Sequence, residues 1–463
     1  MPQPNIPGEE WRSMDEVARA YRPDEALLAR SRQSIQRLRM RDVDLRVLRR
    51  DGAPLAHAPL DIVQTRSSFC FGEQLWSLQE LYRFNEHQTD RARYYTLRFT
   101  EALNACNALC YWTERPRNDG PKMEDLQGDP QIDNFAWAVD WGNANGLTVK
   151  GHPLFWSIQK CVPEWVKRYD YDTQMKFAEV RVRNLVARFR GKVKLWDAVN
   201  EPMWEPAFRN LPQRHWPHLD PIKDIADYIQ PVLRWCRDED PDATFLVNDY
   251  GMEKDKGEGD VPVARDGTRA IAALQRKRFL ALLRELADRG TPPGAVGLQS
   301  HTGGWLDHAT QVAVYDEMAT SGLPIHITEF WANTHHLKES NLPPQVIDQM
   351  AADYVCNYLT CAFGHPAIEA FFFWGFMNAS VEWGKRSSHE PRLMYDRVRD
   401  LLKNQWMTRL SVTTDADGRA RFRGFLGDYA LRYALDDKSR AGSTFTVSSQ
   451  DAMPLTLVAP LAR

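Results

Sequence analysis

Two glutamates carry the chemistry that this chain could perform. Glu201 closes "KLWDAVNEP", residues 194 to 202, in which Leu195, Ala198 and Val199 alternate with polar neighbours as in a β-strand. Pro202 ends the run, because proline cannot continue a ladder and biases its predecessor toward extended geometry. Glu329 closes a second apolar run, "GLPIHITEF". A carboxylate at a strand end is ordinarily a solvated surface group. Two that converge on one bond are a catalytic pair. One is held protonated and gives its proton to a leaving oxygen, and the other stays ionised and attacks an anomeric carbon. A separation of ~5 to 5.5 Å leaves no room for a water between them and gives retention of configuration.

Other polar and aromatic residues gather at similar strand ends. They are Trp112 with Glu114, His152 with Trp156, Asn200, then Asn248, Asp249 and Tyr250, Gln299 with His301, and Trp374 with Asn378 and Trp383 beyond it. Singly, a histidine there is more often a hydrogen-bonded spacer and a tryptophan more often core. Together they describe a polar floor with aromatic walls. Glu201 suits the acid role, since an apolar approach and a nearby ionised carboxylate both raise a carboxyl pKa. Glu329 suits the nucleophile if His301 donates a hydrogen bond that keeps it charged and aimed. Asn200 is placed to reach a sugar 2-hydroxyl, and the tryptophans offer flat faces for sugar rings.

These residues must be positioned by a repeating unit. Eight short apolar stretches recur: "FCFGEQL", "ALCYWTE", "LTVKGHPLFW", "KLWDAVNEP", "TFLVNDYG", "AVGLQSH", "PIHITEF" and "AFFFWGF". They are spaced typically about 40 to 50 residues apart by segments of helix-forming composition. Eight such units over roughly 340 residues predict an α/β fold, a (β/α)₈ barrel with enlarged loops and its chemistry at the C-terminal strand ends. The carboxylates fall on the fourth and seventh strands, nearly opposite each other in an eight-fold ring. No Gly-rich phosphate loop follows any strand, so no dinucleotide or nucleoside triphosphate is indicated. No HxH or paired His and Asp spacing suggests a metal, and no cofactor is expected.

The ends of the chain differ from this pattern. Residues 13 to 40 carry a helical pattern, and the following stretch reads as two strands joined by a turn at Asp51 and Gly52. From Leu410 the chain turns to short strands, with turn residues at Asp417 and Gly418. The division expected is residues 1–65 and 408–463 in one accessory β module, with the catalytic barrel at 66–407 between them.

The 463 residues are 43% hydrophobic and 26% charged, and 59 basic residues nearly cancel 62 acidic ones. That balance excludes nucleic acid and anionic membrane as evident partners, and no apolar run is long enough to span a bilayer. Seven cysteines form neither a CxxC pair nor a disulfide framework, and the N-terminal residues show no signal-peptide pattern. The expected location is the cytoplasm, where a glycosidase meets imported oligosaccharides. The sequence leaves the oligomeric state open.

The motifs together resemble glycoside hydrolase family 10, the retaining endo-β-1,4-xylanase family. "WDAVNEP" is similar to its acid/base motif and "GLPIHITEF" to its nucleophile motif, while "GHPLFW", "VNDYG", "GLQSH" and "FFFWGF" resemble four further segments in the right order. The resemblance implies Glu201 as acid/base beside Asn200, Glu329 as nucleophile, and a β-1,4-linked xylan-like chain or xylo-oligosaccharide as substrate. It spans about Phe69 to Trp406. Three positions depart from it: Tyr111 or Cys110 stands where the family carries a Lys for sugar hydroxyls, Ser157 where a His often follows the third strand's tryptophan, and Trp331 where an Asp usually follows the nucleophile. These bear on which glycan is bound rather than on the chemistry. They open the alternative of a retaining β-glycosidase for another or a decorated glycan, beside a carbohydrate-binding protein that does not cleave.

Overall fold

The computed structural model describes residues 23–112, 132–204, 208, 217–255, 261–301, 305–331, 342–381, 389–434 and 440–458. Two short sheets come first. Strand β1 (Met40–Leu48) pairs with β12 (Arg419–Phe425) and β15 (Leu455–Val458). Strand β2 (Pro59–Ser67) pairs with β11 (Arg409–Thr413) and β13 (Gly427–Ala434), which in turn pairs with β14 (Arg440–Val447). The N- and C-terminal segments thus build one β module, preceded by the helix Glu25–Leu38.

The expected hairpin of β1 and β2 is corrected. A tight turn does form where predicted, with Arg49 N–H bonded to the Ala53 carbonyl and Gly52 at a φ of 86°. The two strands nonetheless lie in different sheets. Each buries alternate residues, Val43, Leu45 and Val47 on β1 and Leu60 and Ile62 on β2, and all five enter one core. Strands that bury their apolar faces against each other stack as layers instead of pairing edge to edge. Strand β13 starts at Gly427 and Asp428, residues typical of a turn. Its Tyr429, Leu431 and Tyr433 alternate into the same core.

The next eight strands close a parallel barrel. They are β3 (Cys70–Gln74), β4 (Ala105–Leu109), β5 (Thr148–His152), β6 (Leu195–Asn200), β7 (Thr244–Asp249), β8 (Ala295–Leu298), β9 (Ile325–Phe330) and β10 (Ile368–Phe373), in that order, with β10 paired to β3. Seven of them coincide with the apolar stretches, whereas the second stretch, "ALCYWTE", overlaps β4 only at Ala108 and Leu109 and leaves Tyr111 and Trp112 beyond the strand end. Helices such as Ile132–Ala144, Tyr171–Arg188 and Ala272–Asp288 cover the outside. The interface between layers is tight. A Cβ added at Gly151 would lie 2.2 Å from the buried Trp196 ring, so only glycine lets the indole lie flat on β5.

One irregularity places the fourth strand's polar side chains. The pairing of β6 with β7 shifts between Asp197 and Val199, a bulge at Ala198. Strict alternation would send residues 197 and 200 to opposite faces, whereas the extra residue lets both reach polar partners. Asp197 meets Lys150 and His152 from β5, and Asn200 meets Asn248 from β7. Below the mouth the barrel holds a buried ionic layer. Lys150 Nζ lies 2.6 Å from Asp197 and 5.0 Å above the Phe372 ring, with no solvent exposure. Burial opposes the charge on Asp197, but Lys150 and His152 outweigh it and hold the carboxyl below its ordinary pKa. His326 is pushed down to about 3 by burial and by Lys150, and so stays a neutral ring.

Candidate active site

Glu201 follows β6 directly. It does not take the extended backbone that Pro202 suggests: its φ is 55°, in the left-handed region. That conformation costs a non-glycine residue about 1 to 2 kcal/mol. The Glu201 N–H donates to the Asn248 carbonyl at 2.7 Å, which fixes the turn and carries the side chain across the mouth. Tertiary hydrogen bonding here overrides the local preference. The carboxylate accepts from the Trp156 indole N–H at 3.0 Å and from the Gln299 amide at 3.0 Å. Trp156 reaches it because residues Leu154 and Phe155 run on along β6, bonded to the Asp197 and Ala198 carbonyls.

Glu329, on β9, is 4% exposed. One oxygen accepts from Asn248 Nδ2 at 2.9 Å, and the other lies 2.9 Å from His301 Nε2. His152 Nδ1 stands 3.9 Å away and is bonded to Asp197 at 2.7 Å. Burial disfavours the charge on Glu329, yet the His301 hydrogen bond and the nearby imidazoles outweigh it, so the carboxyl sits below the ordinary glutamate pKa. His301 moves oppositely. Burial works against its protonation, but Glu329, Glu201 and Glu253 raise its pKa. Each group thus favours the charged form of the other.

A chain of amides ties the two carboxylates together. Gln299 Nε2 donates to Glu201 at 3.0 Å and lies 3.5 Å from Asn200 Oδ1. Asn200 Oδ1 accepts from Asn248 Nδ2 at 2.8 Å, and the same nitrogen donates to Glu329. Thr328 Oγ1 donates to Asn248 Oδ1 at 2.5 Å and so fixes which way that amide faces. Asn248 is the hub, a role that its place in "VNDYG" did not reveal. The register explains it, since Asn200 and Asn248 are direct partners across β6 and β7.

The aromatic residues divide. Trp374 stands 5.3 Å from His152 and 6.3 Å from His301, edge-on to both rings. Trp331 is 49% exposed and packs over Gly375, where an added Cβ would lie 3.8 Å from its indole. Tyr111 lies 5.8 Å from both His152 and Trp156. Tyr250 stacks on Trp204 at 5.3 Å. Trp112 is 5% exposed, edge-on to Phe208 and 5.5 Å from the Arg181 guanidinium, which places it in the packed wall. Trp383 and Glu114 lie outside the described residues.

Glu73 is a further residue of the site that the sequence does not single out. Glu73, inside "FCFGEQL", is 1% exposed and accepts from the backbone N–H of Gly375 at 2.7 Å and of Met377 at 3.3 Å. It holds the turn that carries Trp374, with Gly375 at a φ of 115°. Only its charge within an apolar run could have flagged it. Burial raises the Glu73 pKa to about 8, against the pull of the Gly375, Met377 and Phe376 amides. A carboxyl raised on folding favours the protonated native state, so its contribution is complete below the unfolded value and fades as pH rises toward 8. The melting temperature of the wild type relative to Glu73→Gln is therefore expected to fall between pH 5 and pH 8. Parallel melting curves across that range contradict this.

Eight parallel strands closed around a polar floor, with two hydrogen-bonded carboxylates at the mouth, define the class: a (β/α)₈ barrel carrying a paired-carboxylate site. The family model for glycosyl hydrolase family 10 matches residues 121–401, more than half the chain, and the protein belongs to that family. Among curated proteins it is 24% identical over 434 residues to endo-1,4-beta-xylanase 1 of Arabidopsis thaliana, covering 91% of this chain and 39% of that one. It is also 24% identical over 426 residues to the anti-sigma-I factor RsgI6 of Acetivibrio thermocellus, covering 89% and 47%. The chain thus spans less than half the length of these two relatives. Among solved structures, an endoxylanase from a sugarcane soil metagenome aligns with a TM-score of 0.53 at 17% identity, over 72% of this chain and 97% of that one. Xylanase 10B from Thermotoga petrophila, in complex with xylobiose, aligns at 0.50 and 19%, over 73% and 95%. These likenesses show the barrel fold.

Proposed function

We propose that the protein is a retaining glycosidase that cleaves β-1,4-linked xylan-like chains or xylo-oligosaccharides by double displacement. The observation that carries the reading is the unequal setting of the two carboxyls. Glu329 is held ionised by His301 and Asn248, as a nucleophile requires. Glu201 faces the same mouth and meets the indole of Trp156 and the amide of Gln299. In this reading Glu201 protonates the leaving oxygen while Glu329 attacks the anomeric carbon. Glu201 then deprotonates the water that releases the sugar from Glu329. Family membership and the xylanases among the relatives support the choice of glycan. The cysteines form no disulfide among the described residues, which is compatible with work in a reducing compartment on short chains.

A different or decorated β-glycan is favoured by the half-exposed Trp331, and by Tyr111 and Ser157 at positions where the family carries polar groups. Rates on aryl xylobiosides, cellobiosides and defined branched xylo-oligosaccharides separate the two readings. Preference for unbranched xylobiosides supports the first, and preference for another sugar or a branched chain replaces it with the second. No turnover on any β-glycoside overturns both.

A further inference from the structure

We propose that Glu253 is a positioning residue which, through Ser300, sets the distance between the partners of the two catalytic carboxylates. The proposal rests on the glycosidase reading above. Gln299 and His301 flank Ser300 in the chain. The Gln299 amide serves Glu201, and the His301 imidazole serves Glu329. One residue separates the groups that hold the acid from those that hold the nucleophile. That residue is strained, since Ser300 has a φ of 59°, in the left-handed region that side chains disfavour. It lies just past the end of β8 and is fully buried, where no water can relax it.

What holds it is Glu253. Ser300 Oγ donates to Glu253 Oε1 at 2.7 Å, and the carboxylate is itself 3% exposed. Glu253 comes from the segment after β7, two residues past Gly251, and is anchored from outside where Arg276 donates to the Met252 carbonyl at 2.7 Å. Tyr315 and Tyr358, on the helices His308–Ala319 and Pro344–Gly364, feel its charge, Tyr358 also faces Ser300, and burial keeps both phenols neutral. A buried acid is costly to retain unless it does something for the fold. Here its chemistry is to fix a strained peptide between the two catalytic arms, so that neither Gln299 nor His301 drifts from its carboxylate. A misplaced catalytic group costs turnover before it costs binding.

The test compares Ser300→Ala with Ser300→Gly, and adds Glu253→Gln and Glu253→Ala, on an activated aryl glycoside. Alanine loses the hydroxyl and still pays for the left-handed backbone, whereas glycine loses the hydroxyl and pays nothing there. Expected is a kcat loss of about tenfold or more in Ser300→Ala with KM nearly unchanged, and a much smaller loss in Ser300→Gly. A packing role alone predicts the reverse order, since glycine leaves the larger void. Glu253→Gln keeps an acceptor oxygen and is expected to retain most of the turnover that Glu253→Ala loses. If Glu253→Ala fails to fold, the Ser300 pair and Glu253→Gln still decide. Equal kcat in the two Ser300 variants, or a fall in Ser300→Gly larger than in Ser300→Ala, overturns the proposal. A 2-deoxy-2-fluoro glycoside applied to the wild type keeps the two failures apart. Absence of a label on Glu329 refutes the glycosidase reading, and a label with a flat Ser300 series refutes the Glu253 role alone.

Discussion

Glu329→Gln is expected to lower kcat by about 10⁴-fold or more while the melting temperature stays close to that of the wild type. The amide has nearly the shape of the carboxylate, and its oxygen can still accept from Asn248 or His301, so packing is preserved. What disappears is the anion that attacks carbon, and no neighbour replaces it. Asp197, on the far side of His152, is engaged by Lys150 and His152 below the mouth. The loss should be the same for good and poor leaving groups, because the nucleophile is needed in every turnover. Circular dichroism and initial rates on aryl glycosides of graded leaving-group pKa check both parts. Residual activity within about tenfold of the wild type removes Glu329 from the mechanism.

Glu201→Ala is expected to behave differently. Removing the proton donor should slow cleavage of a natural glycosidic bond by about 10² to 10⁴-fold. It should slow departure of a strongly acidic phenol far less, since that leaving group needs no proton. Release of sugar from Glu329 then becomes limiting, because the same residue deprotonates the attacking water. A small anion such as azide needs no deprotonation, so it should speed turnover and appear in the product attached to the sugar with the original configuration. Failure of azide to accelerate the variant on any activated substrate would remove Glu201 from the acid/base role. The substitution also frees the Trp156 indole and the Gln299 amide. Those unpaired donors make a modest loss of stability the expected structural effect.

Much of this was legible in the chain because barrel strands announce themselves. Most are short apolar runs bounded by polar residues, and seven of the eight fall on their strands, the second lying three residues late on β4. The residues at their ends converge as read: His301 meets Glu329, and Asn200 lies in the network that joins it to Glu201. What escaped depends on contacts between distant segments. The bulge at Ala198 shows only in the pairing of β6 with β7, and it changes the side on which every later residue falls. The left-handed turn at Glu201 is imposed by a carbonyl 47 positions further on, that of Asn248, against the bias of the proline. Glu73 and Lys150 look like surface charges inside apolar runs, yet each is buried against a partner that only the closed ring supplies. Trp112 is buried by contacts that its position in the chain does not show. Its ring packs edge-on to Phe208 and beneath the Arg181 guanidinium.

The most direct measurement is the anomeric form of the first product, followed by NMR on a defined xylo-oligosaccharide before mutarotation. Appearance of the β-anomer first, from a β-linked substrate, is the result of attack by Glu329 with no water between the carboxyls. Initial release of the α-anomer would mean that water attacks directly, and that Glu201 and Glu329 do not act as acid and nucleophile across a single bond.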